Sequence, residues 1–380
     1  MTKIFNFDVL IVYSQHLAKS AYEQENDNPA PFSIGSGSQP YNDVYSYFLQ
    51  YCQEIGLKAA FTTSVDVVGP GFCRSFWTFE SGEWQKTSAP CYSALIFDKF
   101  SPTSPKLRLS RQLLFSLPQI KPFNDPNLFT LFFDKQITSN SFAKHSIPTV
   151  SLKLNNPQSL QVALSSLNIL ISSHPHSQDF SSEIILKDRF GAGGHHVYKF
   201  HPAKLSKITR ILGQNSRKSF ILQPFVNFLH GYTDNNKSAS TDIRLVYLNG
   251  QLVQSYIREA KPGEFRCNEH RGGTLTYIPL SAIPKVVLKI STQIAKKINN
   301  QQSLYALDFV ISDNGHAYLL EGNSSPGLDW NLTLKNNQIE AKKLIHLIVK
   351  DLYARVKSPF VATTSPAPRY VYTPFVSTLN

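Results

Sequence analysis

One segment restricts the folding of this chain more than any other, because it joins two runs of alternating apolar residues through an Asn-Gly pair. The segment covers residues 304–323, with the sequence LYALDFVISDNGHAYLLEGN. Asn-Gly between apolar runs is the typical signal of a two-residue hairpin turn. If this pair forms the turn, counting pairs back along the ladder places Asp308 opposite Glu321, with Cβ atoms roughly 4.5–5.5 Å apart. The sequence therefore predicts an antiparallel hairpin with two carboxylates on one face.

The predicted hairpin carries oxygen ligands suited to a hard cation. Asn323 follows Glu321 by two residues, so strand alternation points it to the same face, and the Ser-Ser-Pro-Gly turn that follows would hold it there. Directly opposed like charges destabilise a sheet, which indicates a positive charge between Asp308 and Glu321. Mg²⁺ suits such a site, since it completes its shell with water and substrate phosphates. The alternative is that Asp308 turns to solvent and Glu321 pairs with a lysine.

A glycine-rich turn follows a strand predicted at residues 183–187. In the run KDRFGAGG, Gly191, Gly193 and Gly194 allow positive φ and close backbone approach, so their amides could bind phosphate oxygens. Lys187 lies at the mouth of this predicted hairpin. The glycines alone fit a plain hairpin turn equally well, because no Gly-Lys-Ser/Thr follows and the chain continues into another strand.

Cationic residues are concentrated between residues 242 and 273. They are Arg244, Arg258, Lys261, Arg266 and Arg271. The planar guanidinium of arginine suits phosphate and carboxylate recognition, and in a water-excluded site it stabilises charge that develops in phosphoryl transfer. The alternative is a solvated basic loop. Arg258 fits that alternative least well, because it ends an apolar strand whose alternation can direct it inward.

The net charge of the 380-residue chain is +12, with 42% hydrophobic and 17% charged residues. This composition is typical of a globular protein, and the length suggests two or three domains. The charge would suit a phosphorylated ligand, an acidic peptide or nucleic acid. It fits a lysine-rich solvated surface equally well, and no RNA- or DNA-binding motif is recognised.

The sequence favours a cytoplasmic protein without a membrane partner. No apolar run is long enough to span a bilayer, and Asp8 interrupts the first one, so a secretory signal is not supported. Cys52, Cys73, Cys91 and Cys267 are widely spaced and form no C-x-x-C pair, which argues against a zinc site and a disulfide framework. We therefore expect reduced thiols.

Periodicity divides the chain into an α/β region at residues 1–126, a second region at 127–356 and a flexible Pro/Ser/Thr-rich tail at 357–380. In the first region, strands are expected at residues 4–13, 59–63 and 92–97, and a helix at 41–55, with a mostly parallel sheet. In the second, a short helix carrying Asp134 and Lys135 precedes a strand beginning at 147–149. Further strands are expected at 183–187, 197–200, 219–223, 242–248, 252–258, 306–311 and 317–321, and helices at 158–172, 284–298 and 340–356.

Residues from about 130 to 350 resemble the ATP-grasp superfamily, and within it the RimK-type amino-acid ligases, which include ribosomal-protein glutamate ligase. The run REAKPGEFRCNEHRGG at 258–273 is similar to the signature of that group. LDFV and LLEGNSSPGL resemble its paired metal-binding strands, and DKQITSNSFAKHSIPTV resembles its first, lysine-bearing helix. The resemblance implies a pre-ATP-grasp domain at 1–126 and a two-lobed ATP-grasp domain at 127–356 with antiparallel sheets, whose smaller lid lobe covers about 148–226.

The resemblance also implies the identity of the site residues. Contacts to the ATP phosphates or the adenine edge come from Lys135 and Lys187, and further phosphate contacts from Arg266 and Asn268. The adenine hinge comprises Gln223, Pro224 and Phe225, and Asp242 lies near the nucleoside. The ligands of two Mg²⁺ ions, or of Mn²⁺ in their place, are Asp308, Glu321 and Asn323.

These features lead to the hypothesis of an ATP-dependent ligase that joins a carboxylate to an amine, or to a thiol, through an acyl phosphate. Arg258 and Arg266 would stabilise the acyl phosphate and the tetrahedral intermediate. The product would join an amino acid to a peptide, a protein or a small carboxylate, with acidic substrates favoured by the positive charge. The alternative is a non-catalytic ATP-binding scaffold or regulatory protein, and the sequence leaves the oligomeric state open.

Overall fold

The computed structural model describes residues 3–22, 28–234, 237–298, 303–328 and 334–358. The mixed α/β architecture with antiparallel sheets that the sequence predicts is confirmed. Within the described residues, none of the helices has both the length and the apolar character that crossing a bilayer demands. All four cysteines are buried, free thiols.

The N-terminal region, residues 3–125, contains two sheets. The strands are β1 (Phe5–Asn6), β2 (Val9–Tyr13), β3 (Ala59–Thr63), β4 (Val67–Gly69), β5 (Phe72–Cys73), β6 (Phe76–Glu80), β7 (Glu83–Thr87), β8 (Cys91–Tyr92), β9 (Leu95–Lys99) and β10 (Lys121–Pro122). The helices are α1 (Tyr41–Glu54) and α2 (Pro105–Leu114). The larger sheet has the order β10-β9-β2-β3-β6-β7 and is parallel from β10 to β3. Every residue of β2 is buried, as expected for a strand covered on both faces.

The next region begins with α3 (Pro126–Phe133) and α4 (Lys135–Ser141) and contains a four-stranded sheet, here called the small sheet. Its strands are β11 (Val150–Ser151), β12 (Phe180–Asp188), β13 (Val197–Phe200) and β14 (Phe220–Val226), in the order β11-β14-β12-β13. All neighbours are antiparallel. The helices α5 (Pro157–Ser172) and α6 (Leu205–Gln214) contribute apolar residues to one core with these strands.

The last region contains a five-stranded antiparallel sheet, here called the large sheet. The strands of this region are β15 (Thr233–Asp234), β16 (Lys237–Ser238), β17 (Thr241–Leu248), β18 (Gln251–Glu259), β19 (Thr274–Tyr277), β20 (Leu304–Ile311) and β21 (Ala317–Asn323). The large sheet has the order β19-β18-β17-β20-β21, and β15 and β16 form a separate two-stranded sheet. The helices are α7 (Lys285–Ile298) and α8 (Lys335–Lys357). Short 3-10 turns lie at Ser177–Asp179, Pro202–Lys204, Glu269–Arg271 and Leu280–Ala282.

Strand alternation gives the large sheet two different faces. Ile243 and Leu245 of β17 point to an apolar face that packs with α7 and α3. Val246 and Leu248 point to the other face, where they share a core with α8 and α1. Nearer the start of β17, this second face bears Asp242 and Arg244, which are also buried. One half of the face therefore packs against helices while the other half presents charge toward the small sheet.

The β20–β21 hairpin has the expected pairing of Asp308 with Glu321, but its turn differs from the predicted one. Asp308 lies opposite Glu321, as predicted. The turn, however, has three residues, since the amide of Ser312 donates to the carbonyl oxygen of His316 at 2.8 Å. The ladder next to the turn is consequently one residue out of the expected register, and a β-bulge at Leu320 restores it.

Several predicted elements differ from those observed. The single helix expected to carry Asp134 is two helices, and Asp134 caps the second by accepting from the amide of Gln136 at 2.9 Å. The strand expected at 147–149 begins at Val150. The β6–β7 hairpin, α2 and α6 were not predicted. Of the tail predicted at 357–380, only Lys357, the last residue of α8, and Ser358 are among the described residues.

Candidate active site

A cleft of about 880 Å³, including the part open to solvent, lies between the small and the large sheet. Most of the residues that the sequence singled out line it, whereas Gly193, Asp308 and Asn323 are not among the lining residues. Those that line it are Lys135, Lys187, Gly191, Gly194, Gln223, Pro224, Phe225, Asp242, Arg258, Arg266, Asn268 and Glu321.

One wall comes from the small-sheet region, where β12 supplies Lys187 and β14 supplies Gln223, Pro224 and Phe225. Lys135 belongs to α4, and Gly191 and Gly194 to the loop between β12 and β13. The large sheet forms the other wall, with Asp242 on β17, Arg258 on β18 and Glu321 on β21.

A row of register partners crosses the large sheet beneath the cleft, and its end residue, Glu321, lines the cleft. Tyr256, Arg244, Asp308 and Glu321 are directly opposed on β18, β17, β20 and β21. Asp308 is 0% exposed and is held by Arg244, whose Nε and Nη2 each donate to one carboxylate oxygen at 2.6 Å. The positive charge expected near Asp308 is thus supplied by an arginine of the neighbouring strand.

A second ion pair extends this arrangement into what we call the charge network, formed by Asp242, Arg244, Arg258 and Asp308. Arg258 donates to both oxygens of Asp242 at 2.8 and 2.9 Å, and its Nη2 also lies 2.8 Å from Oδ2 of Asp308. Burial alone would raise the pKa of Asp308, but the two arginines outweigh it and lower that pKa. Burial raises the pKa of Asp242, because Arg258 offsets it only in part.

Glu321 is the acidic residue of this row that remains available to a ligand. It is half-buried and lines the cleft, and its carboxylate makes no hydrogen bond or ion pair with another residue in the part of the chain that the structure describes. Asn323 is also half-buried, and its Oδ1 accepts from the amide of Ser325 at 2.9 Å. An amide oxygen accepts two hydrogen bonds, so one acceptor position of Asn323 is left.

Glu321, Asn323 and Asp308 differ in their capacity to bind a hard cation such as Mg²⁺. Glu321 offers a carboxylate and Asn323 one acceptor position, which suits the one or two protein oxygens that Mg²⁺ usually takes. Asp308 already accepts three hydrogen bonds from arginines, so it has little capacity left. Across the described ranges, no three His, Cys, Asp or Glu side chains cluster closely enough to hold a metal by themselves. His195 and His196 therefore do not form such a group.

The opposite wall presents a buried lysine. Lys187 is 6% exposed, and burial lowers its pKa to about 8, with Glu321 opposing and Lys135 reinforcing that shift. The Nζ of Lys135 donates to the carbonyl oxygen of Gly191 in the glycine-rich turn. A buried ammonium without a carboxylate ligand is costly, so this wall favours an anion in the cleft.

The inner end of the cleft is apolar and bounded by the segment predicted as an adenine hinge. The Nε2 of Gln223 donates to Oγ1 of Thr149 at 2.8 Å, which orients the strand. The ring of Phe225 contacts those of Phe228 and Phe265 edge-on or tilted, each with centroids 5.8 Å apart. Further apolar lining comes from Ile147, Ile185, Val226, Val310 and Leu320. A flat heteroaromatic ring fits such a wall.

Arg266 presents a second cationic donor suited to an anion. Its Nη2 donates to Glu264 at 2.5 Å, and this bond lowers the pKa of Glu264 to about 2. Its Nε is buried and has no partner in the part of the chain that the structure describes. Buried donors normally find a partner, so this N–H fits a ligand oxygen.

Loops from the two sheets meet above the cleft. Gly194 has φ +69°, and a Cβ at this position would lie 2.6 Å from Oδ1 of Asn268. Nearby, Nη2 of Arg271 and Nδ1 of His195 are 3.1 Å apart. The glycine is therefore required both by its backbone conformation and by the close approach of the facing loop.

The sequence reasoning did not assign Arg244, Phe228 or Phe265 to the site. Arg244 could have been found, because it follows Asp242 by two residues on one strand and must share its face. No local sequence pattern indicates that Phe228 and Phe265 belong to the site. They reach the cleft from loops whose course depends on the packing of both sheets.

A family model described as RimK-like ATP-grasp domain matches residues 135–348, which confirms the resemblance expected from the sequence. A curated relative named probable alpha-L-glutamate ligase 2, from Hahella chejuensis, is 27% identical over 191 residues. That alignment covers 48% of this chain and 58% of the relative, so the chain spans little more than half of that protein's length.

Two solved structures share the fold over nearly the whole chain. D-alanyl-alanine synthetase A from Vibrio cholerae superposes with a TM-score of 0.55 and 14% identity, covering 93% of this chain and 99% of that one. The ATP-grasp ligase PsnB, complexed with a phosphomimetic variant of its minimal precursor, Mg and ADP, gives a TM-score of 0.53 and 11% identity. It covers 93% of this chain and 100% of its own.

Proposed function

The chain belongs to the RimK-like ATP-grasp family, and from this premise we propose that it is an ATP-dependent ligase that joins a carboxylate to an amine. The observation that carries the proposal is one cleft in which buried Lys187, the unpaired Nε of Arg266 and the available carboxylate of Glu321 converge. Cationic donors and a free carboxylate around a single cavity suit a polyphosphate with its counter-ion.

In this proposal ATP lies along the cleft with its adenine at the inner, apolar end. The segment from Gln223 to Phe225 forms the hinge beside the ring, and Asp242 lies on the nucleoside side. Lys135, Lys187, Arg266 and Asn268 contact the phosphates, together with the amides of Gly193 and Gly194. The amide of Gly191 donates to the carbonyl oxygen of Asp188 at 3.2 Å, so Gly191 contributes close backbone approach instead. The glycine-rich turn already meets Asn268 above the cleft, so closing over the phosphates requires little rearrangement.

The reaction proceeds in two displacements. A carboxylate oxygen of the substrate attacks the γ-phosphorus, which forms an acyl phosphate and releases ADP. The amine then attacks the acyl carbon, loses a proton and expels inorganic phosphate, which leaves an amide. Arg258 and Arg266 stabilise the negative charge of both steps. Arg258 uses Nε and Nη2 within the charge network, and its Nη1 remains for a substrate oxygen.

Glu321 and Asn323 would hold Mg²⁺, with Asp308 as a third and more constrained ligand. The ion, when bound, would neutralise phosphate charge and orient the β- and γ-phosphates. The complex of PsnB, which shares the fold, contains Mg and ADP, and this supports Mg²⁺ as the counter-ion in the proposal. Two ions, and the use of Mn²⁺ in their place, are part of the same proposal.

We further propose L-glutamate as the first amine substrate to test, because the curated relative is named a glutamate ligase. The net charge of +12 supports an acidic carboxylate partner. Residues 127–356 would form the ATP-grasp domain, residues 148–226 its closing lobe and residues 1–126 the pre-ATP-grasp domain.

The test is an ADP-release assay with glutamate and pooled peptides and carboxylates, run beside a direct measurement of ATP binding. Turnover in at least one pool, abolished in Glu321→Ala, is the expected result. ATP binding without turnover in any pool would instead support a non-catalytic scaffold, in which Glu321→Ala leaves partner binding unchanged. Absence of ATP binding would contradict both functions.

A further inference from the structure

We infer that the N-terminal region positions the metal-binding end of the cleft, with Lys99 and Asn124 holding the loop at residues 324–327 that orients Asn323. This inference rests on the proposed function, since it takes Asn323 as a metal ligand. It assigns a role to a region whose sequence shows no chemistry of its own.

The orientation of Asn323 depends on the loop that follows it. Its Oδ1 accepts from the amide of Ser325 at 2.9 Å, so the side chain can turn only if that amide moves or the bond breaks. The backbone of Ser325 is in turn set by its neighbours, Ser324 and Pro326. Whatever holds these two residues also holds the amide oxygen of Asn323.

Asn124 of the N-terminal region holds Ser324. It is 5% exposed, and its Nδ2 donates to the carbonyl oxygen of Ser324 at 2.7 Å. Its Oδ1 accepts from the amide of Leu304 at 2.8 Å. Leu304 begins β20 and Ser324 follows β21, so one side chain ties together the two strand ends at the open side of the hairpin.

Lys99, also of the N-terminal region, holds Pro326. It is 7% exposed, and its Nζ donates to the carbonyl oxygen of Pro326 at 2.6 Å. Burying an ammonium is costly, and an apolar side chain of similar length would fill the same space without that cost. A charge-assisted bond to a carbonyl is shorter and stronger than a neutral one, which suits a residue that has to fix a loop rather than merely fill a gap.

These contacts place two buried polar residues of the N-terminal region two steps behind a proposed metal ligand, because the direct partner of Asn323 is the amide of Ser325, and Asn124 and Lys99 hold the residues on either side of it. Partners that orient a metal ligand without touching the metal typically change metal affinity by about 10- to 100-fold when they are removed. Lys99 and Asn124 are therefore positioning residues rather than catalytic ones. Their loss should weaken metal binding while the remainder of the cleft, which binds the nucleotide, stays intact.

The experiment compares Lys99→Met and Asn124→Ala with two controls in the full chain. Lys58→Met and Asn127→Ala make the same chemical changes at exposed positions of the same part of the chain. Mn²⁺ binding is measured by electron paramagnetic resonance in the presence of ADP. Nucleotide affinity is measured separately with a fluorescent ADP analogue in EDTA.

We expect the Mn²⁺ dissociation constant to rise about tenfold or more in Lys99→Met and Asn124→Ala and to stay at the wild-type value in both controls. Lys99→Arg, which keeps a cationic donor, should recover most of the loss. ADP affinity in EDTA should not change in any variant. If a variant proves unfolded by circular dichroism, Lys99→Gln or Asn124→Ser takes its place with the same expectation.

Unchanged Mn²⁺ binding in the folded variants would overturn the inference. So would a parallel loss of ADP affinity in EDTA, because that would indicate a general structural defect. Failure of the proposed function gives a different pattern, in which the wild-type protein itself does not bind Mn²⁺ with ADP, or Glu321→Ala binds it as well as wild type.

Discussion

The charge network and the cleft beside it differ in how their ionised side chains are paired. In the network, Asp242 and Asp308 are each held by arginines through two oxygens, and the two positive and two negative charges cancel. In the cleft, Glu321 has no described partner, Arg266 keeps an unpaired Nε, and Lys187 is buried with a lowered pKa. Groups that neutralise one another define the geometry of the large sheet beneath the cleft, whereas groups left unpaired are available to a ligand.

The largest effect that this contrast predicts is on catalysis. Replacing Glu321 by Gln should lower ADP release by roughly 100- to 1000-fold, because a charge that holds the proposed cation is lost. The free energy of unfolding should stay within about 0.5 kcal/mol of wild type, since no described partner is left unpaired. Glu83→Gln, at an exposed position, is the control. A large loss of stability in Glu321→Gln would show that Glu321 belongs with the network.

The next effect is on stability. Replacing Arg244 by Met should lower the free energy of unfolding by roughly 3–5 kcal/mol, because Asp308 would keep its charge in a buried site with Arg258 as its main partner. Urea denaturation measures this change. The double variant Arg244→Met/Asp308→Leu should recover part of it. An Arg244→Met midpoint equal to that of wild type would mean that the network contributes nothing to stability.

A smaller effect concerns pH. Since the pKa of Lys187 is lowered to about 8 by burial, the affinity of the free protein for ADP should fall as pH rises through 8. A titration with a fluorescent ADP analogue from about pH 6.5, the ordinary histidine pKa, to about pH 9.5, below the ordinary lysine pKa of about 10.4, measures it. Lys187→Arg should flatten the profile, as arginine stays charged. A profile flat in the wild type would contradict the role of Lys187 as a phosphate ligand.

The same pKa has a consequence for stability with the opposite sign. The folded-state pKa is below that of an unfolded lysine, about 10.4, so folding disfavours the protonated form. The penalty is fully present below pH 8 and disappears as pH rises toward 10.4. The contribution of Lys187 to stability therefore improves over the range in which ADP affinity falls.

The smallest predicted effects, on ADP affinity and stability, come from replacing two glycines by alanine. Gly194→Ala should weaken ADP binding a few-fold and lower stability by about 1–3 kcal/mol, because φ is +69° and Asn268 occupies the space of the Cβ. Gly213→Ala, in α6 with no atom within 4 Å of its Cβ, should stabilise the protein by up to about 1 kcal/mol. Equal behaviour of the two variants would show that the loops do not meet above the cleft in solution.

Two Asn-Gly pairs show how far local sequence signals reach. At Asn249-Gly250 both residues have positive φ, and the strands pair immediately beside them, so the two-residue turn is as predicted. At Asn314-Gly315 only the glycine does. There the amide of Asp313 donates to the carbonyl oxygen of Asn227, and Nδ2 of Asn314 donates to the buried carboxylate of Asp179. Contacts with the small-sheet region lengthen this turn, and no pattern within the hairpin records them.

Several predictions based on short-range periodicity held, but the single strands predicted at 4–13 and 92–97 were wrong, because each is two short strands that belong to different sheets. The helix at 41–55, the strand at 59–63 and the β12–β13 hairpin match the structure to within a few residues, because alternation and turn residues act between neighbours. The β6–β7 hairpin was missed, since its turn at Ser81-Gly82 is flanked by polar residues on β7.

By itself, the sequence determined that Asp308 and Glu321 lie on the two strands of one hairpin, because alternating apolar runs flank a turn signal. Their direct pairing depends in addition on the three-residue turn and on the bulge at Leu320, which offset each other. Only the tertiary structure decided that Asp308 is neutralised within the protein while Glu321 remains available. The neutralising guanidiniums of Arg244 and Arg258 are 64 and 50 residues away along the chain, and Asn124, which holds the next loop, is 200 residues from Ser324. Such contacts depend on the order in which strands and regions pack, which no local pattern encodes.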